Sequence, residues 1–244
     1  LIVFPAGLFS QDKEKISISE QWEFIKSDAN EHGNVDWESQ KVEIINLPHS
    51  WNAKDVLDET PGYYRGGGWY KKAIFLLEGW TNKRLFLEFE AANQLTDIYI
   101  NGNKIGSHSG GYSGFRYDIT EYLSESDKMF ELLVKVDNSF DEDIPPLTAD
   151  FTFFGGIYRE AWIIYAPEIH FSLDHYGGPG VYWQTPEVRK DKAEVNVFGF
   201  VSNYSLENTN YKVEHILMDK EGTQVHKESF EQSFITGKNL PLNT

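Results

Sequence analysis

An aspartate stands at the mouth of an aromatic, glycine-hinged run in the stretch 150-DFTFFGGIYREAWI-163. An ionised carboxylate buried there without a partner would carry a heavy desolvation cost. Asp150 must therefore lie at a surface, pair with a cation, or accept hydrogen bonds from a ligand. A sugar suits the last case, because two adjacent hydroxyls can donate to one carboxylate in charge-assisted bonds of fixed geometry. The competing reading is an aspartate that caps a turn or pairs with Arg159 or Arg116. A second cluster, 62-GYYRGGGWYKK-72, sets Tyr63, Tyr64, Arg65 and Trp69 around three consecutive glycines. Aromatic rings offer flat apolar faces to the C–H face of a pyranose, and glycine lets a chain approach closely. Trp69 and Tyr70 open a strand, so Trp69 reads as core. Phe151, Phe153 and Phe154 read as packing residues, one of which could face a partner surface.

Other chemistries lack their residues. The seven histidines never fall at metal-ligand spacing, and there is no cysteine, which excludes disulfides, thiolate metal sites and a cysteine nucleophile. No G-x-S-x-G or P-loop occurs. His49 and His108 read as hydrogen-bonded structural residues.

The elements that must hold Asp150 are strands. Alternation places Leu85, Leu87 and Phe89 on one face of 84-RLFLEFE-90, and Phe130, Leu132, Val134 and Val136 on one face of 130-FELLVKV-136. Asn101–Gly102 predicts a tight hairpin turn within 97-DIYINGNKIG-106. The run 159-REAWIIY-165 predicts a buried strand, and the pattern restarts after Pro167 with 194-EVNVFGFV-201, 211-YKVEHILM-218 and Thr223 to Phe230. One helical turn is expected near Thr120–Leu123, capped by Asp118 or Thr120. Many short strands with frequent turn signals predict an all-β fold of β-sandwiches. The expected division is a tail over 1–15, an eight-stranded jelly roll over 16–167, and an incomplete immunoglobulin-like sandwich over 168–244 with four or five strands.

The 244 residues, 40% hydrophobic, can build such cores, and a net charge of −16 makes nucleic acid and acidic membrane surfaces poor partners. The apolar run Leu1 to Phe9 reads as the back half of a signal peptide cleaved near Ser10–Gln11, with a first strand as the competing reading. The expectation is an exported protein of the periplasm or cell surface.

Seven stretches then read together: 47-LPHSW-51, 68-GWYKKAIF-75, 101-NG-102, 108-HSGGYSGFRYDIT-120, 136-VDN-138, 155-GGIYREAWI-163 and 176-YGGPGVYWQTP-186. In this order the chain resembles the N-terminal part of glycoside hydrolase family 2, the β-galactosidase, β-glucuronidase and β-mannosidase group. The resemblance implies a galactose-binding-like jelly roll, an immunoglobulin-like domain, and then a (β/α)8 barrel outside this sequence that carries both catalytic glutamates. No catalytic residue is therefore assigned here. The resemblance also implies that Asp150 reaches into the barrel's active site as the substrate-binding residue, beside a sodium ion in some β-galactosidases. Residues 55-DVLDET-60 could add a polar contact at the rim. Asn30-Glu31-His32 resembles the family's barrel Asn–Glu pair but lies in a polar loop, and reads as solvated surface.

The implied activity is that of a retaining hydrolase of terminal β-linked sugars, with galactose the first choice. This chain alone would be inactive and without a cofactor or metal, while sodium or magnesium stays open for the full-length enzyme. Its partners would be a β-linked oligosaccharide or glycoside and its own barrel, with a homo-oligomer open. The alternatives are a stand-alone carbohydrate-binding module and, less supported, a structural adhesin.

Overall fold

A computed structural model describes residues 13–29, 32, 35–57, 62–148, 150–175 and 177–242. The expected leader and its cleavage point, and Asn30 and Glu31, lie outside the described residues. The chain divides into two compact units, one from residues 15–81 and 85–164 and the other mainly from 165 onward.

The first unit contains β1 (Glu14–Ser17), β2 (Trp22–Lys26), β3 (Glu43–Ile45), β4 (Gly67–Phe75), β5 (Arg84–Phe89), β6 (Leu95–Ile100), β7 (Asn103–Ser109), β8 (Phe115–Asp118), β9 (Met129–Asp137) and β10 (Ala161–Ala166). They form a four-stranded sheet in the order β1-β10-β5-β8 and a six-stranded sheet in the order β3-β2-β4-β9-β6-β7. Ten described strands thus replace the expected eight. Two of them, β1 and β3, are short, largely exposed edge strands, so hydrophobic alternation gave no sign of them.

Register explains the core. Phe24 pairs with Tyr70, Tyr70 with Val134, and Val134 with Ile98, so one row of side chains crosses four strands on the inner face. Trp22, Phe24, Tyr70, Ile98, Phe130, Leu132, Val134 and Val136 are all essentially inaccessible. Strand β5 departs from simple alternation: Leu85, Leu87 and Phe89 are buried as expected, but Phe86 is fully buried as well and Glu88 nearly so. Both faces of that strand are covered.

The outer face of the six-stranded sheet has a core of its own. Ile25, Trp69, Tyr99, Leu133 and Val35 cluster there, with Ala29, Trp37 and Val42 packed against them. The β2–β3 connection therefore folds back onto the sheet instead of standing in solvent. Trp69 donates its indole N–H to the Ala29 carbonyl at 3.0 Å, and His32 packs on Tyr99 with ring centroids 5.1 Å apart.

At one end of this sandwich the turns are tight and local. Asn101 and Gly102 both take positive φ, as the hairpin requires. The Asp118 carboxylate accepts from the Thr120 amide at 3.1 Å, starting a short 3-10 turn over Thr120–Tyr122.

The second unit contains β11 (Ile169–Phe171), β12 (Val181–Val188), β13 (Ala193–Asn203), β14 (Thr209–Met218), β15 (Gln224–Phe234) and β16 (Gly237–Pro241). Strands β11, β12 and β16 pair around β13, and β14 pairs with β15 as a separate ladder. Val201, Val213, Phe234 and Leu242 join the two layers in a small core. Six described strands exceed the four or five expected and fall short of the seven or so of an immunoglobulin sandwich.

Candidate functional site

Strand ends place the site. The register brings Gly67 beside Asp137, Asp137 beside Leu95, and Leu95 beside Ser109. The connections before β4, before β6, after β7 and after β9 consequently emerge at one end of the first sandwich. The β9–β10 connection, residues 138–160, is far longer than ordinary loops, and such length is usually functional.

Asp150 lies in this connection and is exposed, and its side chain makes no hydrogen bond or ion pair with any described residue. The turn-capping and arginine-pairing readings are thereby removed. Arg116 instead binds Glu88, with Nε at 2.7 Å, and Lys15 binds the other oxygen of the same carboxylate at 2.7 Å. Burial raises the Glu88 pKa, but the Lys15 hydrogen bond and the Arg116 charge outweigh it and leave the group below its ordinary value. Arg159 is exposed and interacts with Tyr158.

The phenylalanines beside Asp150 divide. Phe153 is buried, whereas Phe151 is 55% and Phe154 45% exposed, so two of the three face outward where the sequence reading allowed one. Phe140, on the same connection, and Tyr112, on the β7–β8 connection, are exposed by more than 60%. An apolar, aromatic rim therefore accompanies the exposed carboxylate.

The rim is mounted on buried polar contacts that link the sequence motifs. Residues 49–51 pair with 155–157: the His49 amide donates to the Ile157 carbonyl at 2.8 Å, and the Trp51 amide to the Gly155 carbonyl at 3.2 Å. Gly155 and Gly156 are there for close approach. A Cβ on Gly155 would stand 2.2 Å from the Trp51 ring, and one on Gly156, at φ +125°, 2.5 Å from the His49 carbonyl oxygen. Asn93 donates to the Phe154 carbonyl at 2.6 Å, and Tyr158 donates to the Gly111 carbonyl. Asn52 and Asn138, both fully buried, donate to the Phe153 carbonyl at 2.9 and 2.8 Å. Neither asparagine was singled out as a site residue from the sequence. The available signal was a polar amide directly after 47-LPHSW-51 and at the end of 136-VDN-138.

The second aromatic cluster serves the fold. Tyr64 donates to the Asp28 carboxylate at 2.8 Å; burial and that bond push its pKa up. Tyr63 accepts from the Phe153 amide at 3.3 Å, and Arg65 stacks on the Phe153 ring at 4.8 Å. The glycines admit the protein's own chain, not a sugar: a Cβ on Gly67 would meet the Ser27 carbonyl oxygen at 2.3 Å. Asp55 accepts from the Tyr64 amide at 2.9 Å, while Asp58, Glu59 and Thr60 lie outside the described residues.

Both candidate structural histidines are tied down. His49 Nδ1 lies 2.9 Å from the Tyr70 hydroxyl, and burial lowers its pKa to about 4. His108 stacks on Phe115 at 4.1 Å, with Nε2 3.3 Å from Ser113.

Among the described residues no group of three or more His, Asp or Glu side chains could hold a metal ion. Asp150 offers one carboxylate, and a sodium or magnesium ion would need further oxygen ligands from elsewhere. Two concavities, of about 350 Å³ beside Phe24 and Lys41 and about 300 Å³ beside Asp97 and Lys135, do not include Asp150. Asp150, like Phe151 and Phe154 beside it, is exposed.

Residues 9–167 match the family model described as glycosyl hydrolases family 2, sugar binding domain. A β-glucuronidase of Bacteroides fragilis is 34% identical over 98% of this chain and 33% of its own length. A β-galactosidase of Thermoanaerobacter pseudethanolicus is 27% identical over 86% of this chain and 27% of its own. Among solved structures, Bacteroides uniformis β-glucuronidase 2, covalently bound to cyclophellitol-6-carboxylate aziridine, superposes with a TM-score of 0.85 at 33% identity. That match covers 94% of this chain and 27% of the other. The chain therefore spans about a third or less of the length of these proteins.

Proposed function

The chain belongs to glycosyl hydrolase family 2 through its sugar-binding domain, and from that membership we propose that it is the N-terminal part of a longer retaining glycosidase acting on terminal β-linked sugars. The observation that carries this reading is Asp150: an exposed carboxylate without a described partner, on a long connection whose backbone is anchored and whose neighbouring aromatic rings face outward.

In this reading the reactive pair of carboxylates, about 5–5.5 Å apart in retaining enzymes, resides in a catalytic domain of the longer protein. That domain covers Phe151 and Phe154, and Asp150 completes its pocket from the side. The Asp150 carboxylate accepts hydrogen bonds from sugar hydroxyls and fixes the ring before reaction. The substrate is a β-glucuronide or a β-galactoside. The higher identity to the glucuronidase favours the former over the galactose first expected. Export to the periplasm or cell surface belongs to the same proposal and rests on the apolar run Leu1 to Phe9.

The test compares the full-length protein with the isolated chain on nitrophenyl β-glucuronide and nitrophenyl β-galactoside. The expected result is turnover by the full-length protein and none by the chain. Turnover by the pure chain would overturn the reading. Tight sugar binding by the isolated chain in calorimetry would overturn it in favour of a self-sufficient binding module.

A further inference from the structure

We infer that Asn52 and Asn138 are positioning residues for Asp150: two buried amides that clamp one backbone carbonyl and so fix where the carboxylate stands. The inference rests on the proposed role of Asp150.

Each amide is fully committed to this task. Asn52 Nδ2 donates to the Phe153 carbonyl at 2.9 Å and the Tyr64 carbonyl at 3.1 Å, while its Oδ1 accepts from the Gly155 amide at 3.0 Å. Asn138 Nδ2 donates to the Phe153 carbonyl at 2.8 Å, and its Oδ1 accepts from the Gly66 amide at 2.9 Å. The Asn138 carbonyl in turn accepts from Arg65 Nε at 2.8 Å. The Phe153 oxygen thus receives two donors from separate parts of the chain, three residues after Asp150. Its amide is held as well, by the Tyr63 hydroxyl at 3.3 Å.

Physical reasoning makes this more than packing. A single buried hydrogen bond would satisfy a loop carbonyl; two convergent side-chain amides over-determine its position. Among the described residues, the backbone of the surrounding connection is tied to other segments by the pairing of 155–157 with 49–51, the bridge between Asn93 and Gly156, and single bonds of Asn138 to Gly66 and of Glu90 to Glu160 at its ends. Asp150 has no described partner to orient it, so its placement must come from the backbone that follows it. An error of about 1 Å in such a group can cost roughly 10²-fold in rate.

A double-mutant cycle in the full-length protein tests the inference, using kcat/KM on the nitrophenyl glycoside that it turns over. Asn138→Ala and Asn52→Ala are each combined with Asp150→Asn. The expected result is a loss of about tenfold from each alanine in the wild-type background and no further loss in the Asp150→Asn background. Equal losses in both backgrounds would overturn the positioning role and leave the amides as ordinary stabilising groups. If Asp150→Asn itself costs nothing, the reading of Asp150 fails, a result distinct from failure of the clamp. Tyr63→Phe removes one hydroxyl and keeps the test open should the alanine variants not fold. Its expected loss is about threefold, again absent beside Asp150→Asn; a loss that persists there would count against the clamp.

Discussion

The two ends of the first sandwich are built on different principles. At one end Asn101–Gly102 and the Asp118–Thr120 turn close their strands with local turn geometry, and each is tied to one neighbouring strand, Asn101 to Glu131 and Thr120 to Leu85. At the other, residues 49, 51, 52, 63, 65, 66, 93 and 111 all bond to the 138–160 connection, across separations of 47 to more than 100 residues. The first end combines turn chemistry with single contacts to an adjoining strand. The second holds a long connection in one conformation while leaving Asp150, Phe151 and Phe154 exposed. Long-range polar anchoring is spent where a surface must be rigid without being buried.

The strongest test of that contrast is Asp150→Asn in the full-length protein. Losing charge-assisted bonds to sugar hydroxyls should lower kcat/KM by roughly 10²-fold, about 3 kcal/mol, with the melting temperature unchanged. Activity at the wild-type level would erase the functional difference between the ends.

Next come two glycines at positive φ. Gly156→Ala forces a Cβ to within 2.5 Å of the His49 carbonyl oxygen, and should destabilise the fold by about 2–3 kcal/mol in urea unfolding. Gly102→Ala meets only His32 Nε2, at 3.4 Å, and should cost about 1.5 kcal/mol from backbone strain alone. Equal costs would show that the two ends are equally tolerant.

The smallest effect is a pH dependence confined to the anchored end. Burial holds His49 at a pKa of about 4, below its unfolded value near 6.5. The unfolded chain therefore binds the proton first as pH falls. The stability contributed by keeping His49 neutral is complete above about pH 6.5 and is lost progressively toward pH 4. Allowing for partial solvent exposure, the wild type should lose about 1 kcal/mol more than His49→Gln between pH 7 and pH 5. Identical slopes in urea titrations would remove His49 from the anchoring network.

Several of these features were legible before the structure. Alternation located β5, β9, β10 and β13, and Asn-Gly located the β6–β7 hairpin, because strand period and turn chemistry are local properties. The Trp69 core assignment held, although Trp69 lies in the outer cluster and not between the sheets. That one phenylalanine of Phe151, Phe153 and Phe154 could face outward was legible, but not that Phe151 and Phe154 both do, since a phenylalanine in a loop carries no sign of which way it faces. The three glycines near Gly67 suggested room for a sugar, and the room is taken by the protein's own Ser27 backbone and by the side chains of Asp28, Tyr64, Trp51 and Phe24.

By itself the sequence determined an all-β chain and the identity of its family motifs, because both depend on residue order over short spans. Only the tertiary structure decided that 47-LPHSW-51, 136-VDN-138 and 155-GGIYREAWI-163 meet at one place, and that Asp150 is exposed there without a partner among the described residues. The reason is physical: a hydrogen bond between Asn52 and Phe153 depends on which strand ends the sheet order brings together, and no local pattern encodes that distance.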